Sequence, residues 1–482
     1  MRKEKSRICH PEGMEFHTLQ EEQCAELVRS ALRVLENTGC KIKSKEARHL
    51  LEDAGCTVEG DLVKIPESLV QKSLQTVPST LQLYDRDGHV TMSLEPYQTY
   101  YGTAIGNPMI VDSITGERRR TVRKDVVHVA RVAEGLPNIN WVCGMSSMED
   151  CNPGLIDLYE AMELLKNTRK TIIPWAQNLE HCRDIIQMFS VVAGGMENLR
   201  KKPNLAFWLS PISPLTHPDE VVDPLLYLAG EGIPVIYTSG PTSGGGAPIT
   251  FAGHMVIGLA DCLAGLVISQ VKREGAPFIC GSLTEILNLG TMGMVFGHPS
   301  RIYTQAAAAD IYRYLNIPFA VHFGSTDAFS FDQQAAGDIA VQIMFSELAH
   351  SGMNCFLGFL ESGMSGSLDA IVYGNEMIQY AREVTYAREI SEETLAEDVI
   401  QEVGPGGNYL AEEHTVEHMD VFWQSGCLPW LSYERWMNSG KPTLFTKVNE
   451  KVKELIATEP SPLPEDTLVQ LENILSKAES RL

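Results

Sequence analysis

The chain has 482 residues, 44% of them hydrophobic, and its 39 basic against 62 acidic side chains give a formal net charge of −23. This supplies apolar material for a large core in one or two domains, and it argues against nucleic acid as a partner, because phosphate contacts need Lys and Arg. The 11 cysteines are scattered with no Cys-x-x-Cys pair and read as reduced thiols of a cytoplasmic protein. No apolar segment follows the basic start MRKEKSRICH, so no signal peptide is expected. No apolar run reaches the roughly 18 residues that a membrane helix needs.

Residues 1–95 read as an N-terminal helical region. EEQCAELVRSALRVLENTG carries an apolar stripe at helical spacing and ends at Gly39, SKEARHLLEDAGC repeats the pattern more briefly, and DRDGHV at 85–90 has the composition of a tight hairpin turn. From 96 to 400 the pattern changes to eight short apolar runs, each followed by an amphipathic stretch: YYGTAIG, INWVCGM, TIIPWAQ, NLAFWLS, IPVIYTSG, APFICGS, IPFAVHFG and NCFLGFLE. Such alternation predicts an α/β fold with a parallel sheet, and the count favours a TIM (β/α)8 barrel, with an open doubly wound sheet as the alternative. HMVIGLADCLAGLVISQ, interrupted by Asp261, reads as a buried core helix. Residues 401–482, with the acidic stretch before them, read as C-terminal capping helices.

In a barrel the chemistry sits at the C-terminal ends of the strands. The segment HFGSTDAFSFDQQAAGD follows the seventh run there, yet it offers no nucleophile, lysine or metal pair. Aromatic residues are more informative: Tyr97, Tyr100 and Tyr101 enter the first run, Phe329 and Phe331 lie in that segment, and Phe356 and Phe359 lie in the eighth run. Rings converging at the mouth would hold a methylated cation, each contributing ~0.5–2 kcal/mol in a dry site; otherwise they are core. We take Tyr97, Tyr101, Phe331 and Phe356 as cage candidates, with Asp327 and His350 as orienting groups. SGPTSGGGAPIT (239–250) has the position of an anion-cradling loop but lacks the lysine of a phosphate loop, and reads as a flexible loop at the mouth. HTVEH sets His414 and His418 one helical turn apart, as zinc ligands would be, though a packing role fits better; no metal site is expected.

Three segments, GPGGNYLAEEHTVEHMDVFW (404–423), APITFAGHMVIGLADCLAGLVISQVKREGAPFICGS (247–282) and STDAFSFDQQAAGD (325–338), resemble the trimethylamine methyltransferase superfamily, and the resemblance runs through most of the chain from about residue 20. It implies a TIM barrel that holds a methylated amine, with cobalamin arriving on a separate corrinoid protein docked at the mouth; this chain has no Asp-x-His-x-x-Gly corrinoid signature of its own. Founding members of that family carry pyrrolysine near a strand end, whereas the matching neighbourhood here has ordinary residues around Ser330 and Phe331. The chain also has Ala260-Asp261-Cys262 where an Asn-Ala-Glu type run is expected.

The missing pyrrolysine has a chemical reading. A tertiary amine is a poor methyl donor without help at nitrogen, whereas a quaternary ammonium leaves as a neutral amine when a strong nucleophile such as Co(I) takes its methyl. The resemblance therefore implies a non-pyrrolysine member, an N-methyltransferase that demethylates a betaine of the glycine betaine, proline betaine or carnitine type and feeds tetrahydrofolate through another enzyme. A substrate carboxylate would be held by His322, His350, Ser325 or amides near Gly324. Alternatives from other classes are a zinc-dependent barrel hydrolase using His414 and His418, and a non-catalytic betaine-binding protein. A homo-oligomer is the prior for such a chain.

Overall fold

The computed structural model describes residues 13–104, 106–144, 147–282 and 284–481. Cys9 and parts of the first two runs, Ile105 and Met145, lie outside the described residues. The eight runs supply eight strands: β1 (Thr99–Thr103), β2 (Ile139–Val142), β3 (Thr171–Ile172), β4 (Phe207–Leu209), β5 (Val235–Tyr237), β6 (Phe278–Cys280), β7 (Ala320–Val321) and β8 (Gly352–Leu357). Each is followed by a helix: α1 (Arg123–Glu134), α2 (Ile156–Asn167), α3 (Leu179–Val192), α4 (Asp219–Glu231), α5 (Phe251–Lys272), α6 (Pro299–Leu315), α7 (Gln333–Leu348) and α8 (Leu368–Thr385). The chain is thus of the α/β class. Local sequence starts these helices: Asn178, Asp332 and Ser367 accept hydrogen bonds from first-turn amides of α3, α7 and α8, and Pro299 opens α6, where a missing N–H costs nothing.

All pairings between these strands are parallel. One sheet runs β3-β2-β1-β8-β7 and another β4-β5-β6. Single parallel bridges, Ile172 to Leu205 and Cys280 to Phe319, link their edges on both sides. Side chains alternate accordingly. Trp141, Ile173, Ala206, Ile236, Ile279, Ala320 and Met353 form an inner cluster, while Tyr101, Val235, Tyr237 and Val321 join the larger core between strands and helices. Gly102 makes room for the inner layer, since a Cβ there would fall 2.0 Å from the Trp141 indole.

The expected hairpin forms from Leu81–Tyr84 and Val90–Leu94, and it plugs the N-terminal end of the strands. Leu83, Met92 and Leu94 share the inner cluster. Tyr100, second residue of β1, donates its hydroxyl to the Ser93 carbonyl and accepts the Ser93 N–H. Thr91 meets Thr171 at the start of β3, and Tyr84 N–H reaches the Pro203 carbonyl just before β4.

The N-terminal region holds helices Glu21–Arg33, Lys45–Asp53 and Glu67–Thr76, together with a small sheet. Its strand Cys40–Ile42 pairs in parallel with Thr216–His217 from the connection between β4 and α4. The region is therefore stitched to the strand-and-helix body rather than set apart from it. At the other end, helix Leu444–Ile456 packs on α8 and α1, and helix Glu465–Glu479 packs on α3 and α2. These long C-terminal helices clad the outer helix layer and do not cap the strand ends, because their apolar stripes, with Val448, Val452, Leu471 and Ile474 buried, match that layer.

By length and composition α5 could cross a membrane, but 78% of its apolar window is buried inside the protein. Its Asp261 is fully buried and accepts hydrogen bonds from the hydroxyls of Ser213 and Ser239 and from the Leu215 N–H. The ten described cysteines are all free thiols.

Candidate functional site

Polar chemistry gathers where β6, β7 and β8 end. Glu285, in the loop after β6, receives Arg301 Nε at 2.8 Å from the first turn of α6 and faces His322 Nδ1 at 2.8 Å just after β7. All three are buried. Burial pushes the Glu285 carboxyl up, but the charge of Arg301 and the hydrogen bonds of His322 and Arg301 outweigh it and bring it down to about 2. Burial pushes the imidazole of His322 below its ordinary value, the Glu285 hydrogen bond opposing. An ionised carboxylate can only accept, so Nδ1 carries the proton and Nε2 is left as a lone-pair acceptor. Among the described residues Nε2 has no hydrogen-bond partner.

Aromatic rings enclose this group. Phe356, at the end of β8, stacks on the His322 ring with centroids 3.7 Å apart, and Trp208 of β4 lies parallel to it at 6.1 Å. Phe296 and Phe359 close on Phe356, and the Arg301 guanidinium sits 4.6 Å from the Phe296 ring centroid. Trp175 follows β3, with its indole Nε1 buried and without a partner among the described residues. Trp175, Trp208 and Phe356 are only half-buried, so part of each ring remains accessible. Thr238 after β5 and Thr284 after β6 also have buried hydroxyls without partners among the described residues. Together these groups can receive a cation and offer hydrogen bonds to a polar appendage.

Of the sequence-predicted residues, His322 and Phe356 stack on each other here, with Phe359 against Phe356 and the Ser325 hydroxyl on Arg301. Tyr97 and His350 contact each other, with ring centroids 5.5 Å apart, but each stands two residues before its strand, β1 and β8, at the plugged end. A six-residue strand such as β8 spans roughly 20 Å, so His350 and Phe356 cannot line one mouth. Tyr101 is one residue out of phase: it faces the helix layer and its hydroxyl donates to Ser346 of α7, while Tyr100 takes the inward position. Phe331 packs against Tyr373 of α8 and Phe445 of the C-terminal helix. Phe359 is buried behind Phe356, and Phe329 is 74% exposed.

Asp327 is consumed as a clamp. Its carboxylate accepts the N–H groups of Phe296 and Gly297 and the Ser362 hydroxyl, fixing the loop after β6 to the loop after β8. The amides of Gly324 and Ser325 donate to Gln342 and so are not free donors for a carboxylate, whereas the Ser325 hydroxyl accepts from Arg301 and keeps its own O–H to donate. The amides of the 239–250 loop are likewise occupied: Ser243 donates to the Glu285 carbonyl, Gly245 and Ala247 to that of Thr242 and Gly244 to that of Ala247. That loop supports Glu285 rather than cradling an anion.

His414 and His418 stack at 4.2 Å in the exposed C-terminal segment, where His418 lies 3.6 Å from Glu393. The structure does not bring them to a carboxylate at the strand ends, as the hydrolase alternative requires. Among the described residues, only Asp85, Asp87 and His89 of the hairpin turn bring three ligand-type atoms within 4.8 Å of one another.

Trp175, Trp208, Glu285 and Arg301 were not foreseen, nor were Phe296, Thr238 and Thr284. Trp175 and Trp208 stand toward the C-terminal ends of their runs, TIIPWAQ and NLAFWLS, which is the signal that would have found them. Glu285 and Arg301 come from separate elements, and no local pattern pairs them.

A parallel α/β enzyme with an aromatic-lined polar site at its strand ends is the class that the fold and site define. The chain belongs to the trimethylamine methyltransferase (MTTB) family, whose model matches residues 2–482, and it is a methyltransferase. It is 29% identical to the trimethylamine methyltransferase MttB of Desulfitobacterium hafniense (strain DSM 10664 / DCB-2), over 98% of this chain and 96% of the relative. It is 25% identical to the glycine betaine methyltransferase of Desulfitobacterium hafniense (strain Y51), over 90% of each. Among solved structures, the hydroxylamine complex of MtmB superposes with a TM-score of 0.49 at 12% identity, covering 92% of this chain and 96% of that one.

Proposed function

We propose that the protein takes a methyl group from a quaternary ammonium compound and delivers it to the Co(I) cobalamin of a cognate corrinoid protein docked over the strand C-terminal ends, and that the eight strands form a closed (β/α)8 barrel. The two linking bridges support closure. The observation that carries the reaction is the set of half-buried rings, Trp175, Trp208 and Phe356, at the mouth. Such faces hold a methylammonium and exclude water from it.

The rim fits a large partner. Each loop after β4 to β8 carries exposed apolar side chains: Ile212, Ile249, then Leu289, Met292 and Met294, then Phe329, then Met364. Exposed apolar side chains on each of these loops suit an interaction surface on which a docked protein presents a corrinoid. The corrinoid supplies the nucleophile for the methyl group.

This chain's part is positioning and electrostatics. The substrate's positive charge is lost as the methyl transfers, so an uncompensated anion beside nitrogen would stabilise the starting state and slow the reaction. Glu285 avoids this because Arg301 neutralises it. The rings hold the cation without quenching its reactivity, and a departing neutral amine needs no acid from the protein.

The test is to mix the protein with its corrinoid partner, reduced to Co(I), and a panel of quaternary amines, following methyl–Co(III) absorbance. Turnover with at least one quaternary amine and none with trimethylamine is expected. No turnover with any quaternary amine overturns the proposal.

A further inference from the structure

We infer that His322 Nε2 reads a hydroxyl on the methyl donor, so that the preferred substrate class is hydroxylated quaternary amines rather than betaines that carry a carboxylate alone. The inference rests on the proposed methyl transfer and deepens it. Its ground is geometric. Nδ1 is held 2.8 Å from a Glu285 carboxylate that Arg301 keeps ionised, and the ring plane is fixed by stacking on Phe356 at 3.7 Å and 15°. Proton and orientation are both settled by the surroundings, which leaves one buried acceptor atom without a partner among the described residues.

Unmade hydrogen bonds at buried atoms are costly, and this one lies among the rings that would hold the cation. A carboxylate oxygen and an unprotonated ring nitrogen both lack a proton to share, so a carboxylate does not satisfy Nε2. An O–H on the substrate does. A carboxylate on the same molecule can instead take donors from the indole Nε1 of Trp175 and the hydroxyls of Thr238 and Thr284, which are also buried and without partners among the described residues. The expectation that His322 donates to a substrate carboxylate is thereby reversed: its free nitrogen accepts.

Carnitine and γ-butyrobetaine, which differ by one hydroxyl, test this. Binding of each to the purified protein is measured by calorimetry, and turnover is followed with the Co(I)-loaded corrinoid protein. Carnitine is expected to bind at least about 10-fold more tightly and to show a correspondingly higher kcat/KM. His322→Asn retains a donor toward Glu285 and removes the Nε2 acceptor; it is expected to bring the ratio of the two affinities to within about twofold of one, both affinities falling together as the stacked ring is lost. His322→Gln, which can present an acceptor near the Nε2 position, is expected to restore part of it. Equal binding of the two compounds, no binding of either, or a preference that persists in His322→Asn overturns the inference. Because binding is read separately from methyl transfer, a binding preference without turnover counts against the proposed reaction and leaves the hydroxyl reading standing.

Discussion

The two ends of the parallel strands are built on opposite principles. At the N-terminal end, the hairpin inserts Leu83, Met92 and Leu94 into the inner cluster, and the Tyr100 hydroxyl closes on the Ser93 backbone. At the C-terminal end, rings stay half-exposed, a carboxylate is ionised in the interior, and the loops present apolar side chains to solvent. The first arrangement maximises burial; the second keeps unspent interactions that a ligand and a partner can complete. Stability and activity should therefore separate by end.

Leu83→Ala, in the plug, should lower unfolding free energy by about 2–5 kcal/mol, as a cavity in an apolar cluster does, measured by urea denaturation. Its kcat/KM should change little; a large loss of activity in protein still folded would blur the contrast. At the open end, Trp208→Ala should reduce kcat/KM for a quaternary amine by ~30-fold through loss of about 2 kcal/mol of cation–π contact, with a smaller change in melting temperature than at the plug.

Met292→Glu, on a side chain 70% exposed at the rim, should cut kcat/KM for the corrinoid protein by about 10-fold by placing a charge in an apolar contact. Methyl transfer to free cobalamin and calorimetric binding of the amine should be unaffected. An equal loss with free cobalamin would move the docking face elsewhere.

The smallest effect sharpens the comparison within buried carboxylates. Asp261 has hydroxyl and amide donors, and the His217 imidazole 3.9 Å away is kept neutral by burial, which lowers it to about 4; burial raises Asp261 to about 6, with the Ser213, Ser239 and Leu215 hydrogen bonds opposing, whereas Glu285 with Arg301 falls to about 2. Between roughly pH 4 and 6 the native state holds a proton on Asp261 that the unfolded chain has released, so this group's contribution to stability declines as pH rises through that window. Asp261→Asn should flatten that slope in unfolding measured across the window; an unchanged slope would place the effect on another group.

The fold was legible because each apolar run is short, buried on both faces and followed by a periodic stretch, so all eight runs appear as strands. The hairpin turn was also readable from DRDGHV, although its function as a plug was not. Errors at the site came from direction and phase. Tyr97 and His350 precede their strands and fall at the opposite end. Tyr101 lost to Tyr100 by one step of the pleat, and Phe331 stands beside the Asp332 cap of α7, where it packs outward. Glu285, Arg301 and His322 meet only through the tertiary arrangement of three elements, so no linear spacing could announce them.

The plug has a kinetic consequence. On the proposed reading of a closed barrel, the hairpin fills one end and leaves a molecule bound among the rings a single exit, beneath the docked corrinoid protein. Binding is then ordered, amine before partner. The demethylated amine stays trapped until the partner leaves, so partner dissociation sets an upper limit on turnover and excess partner should inhibit by capping the empty enzyme.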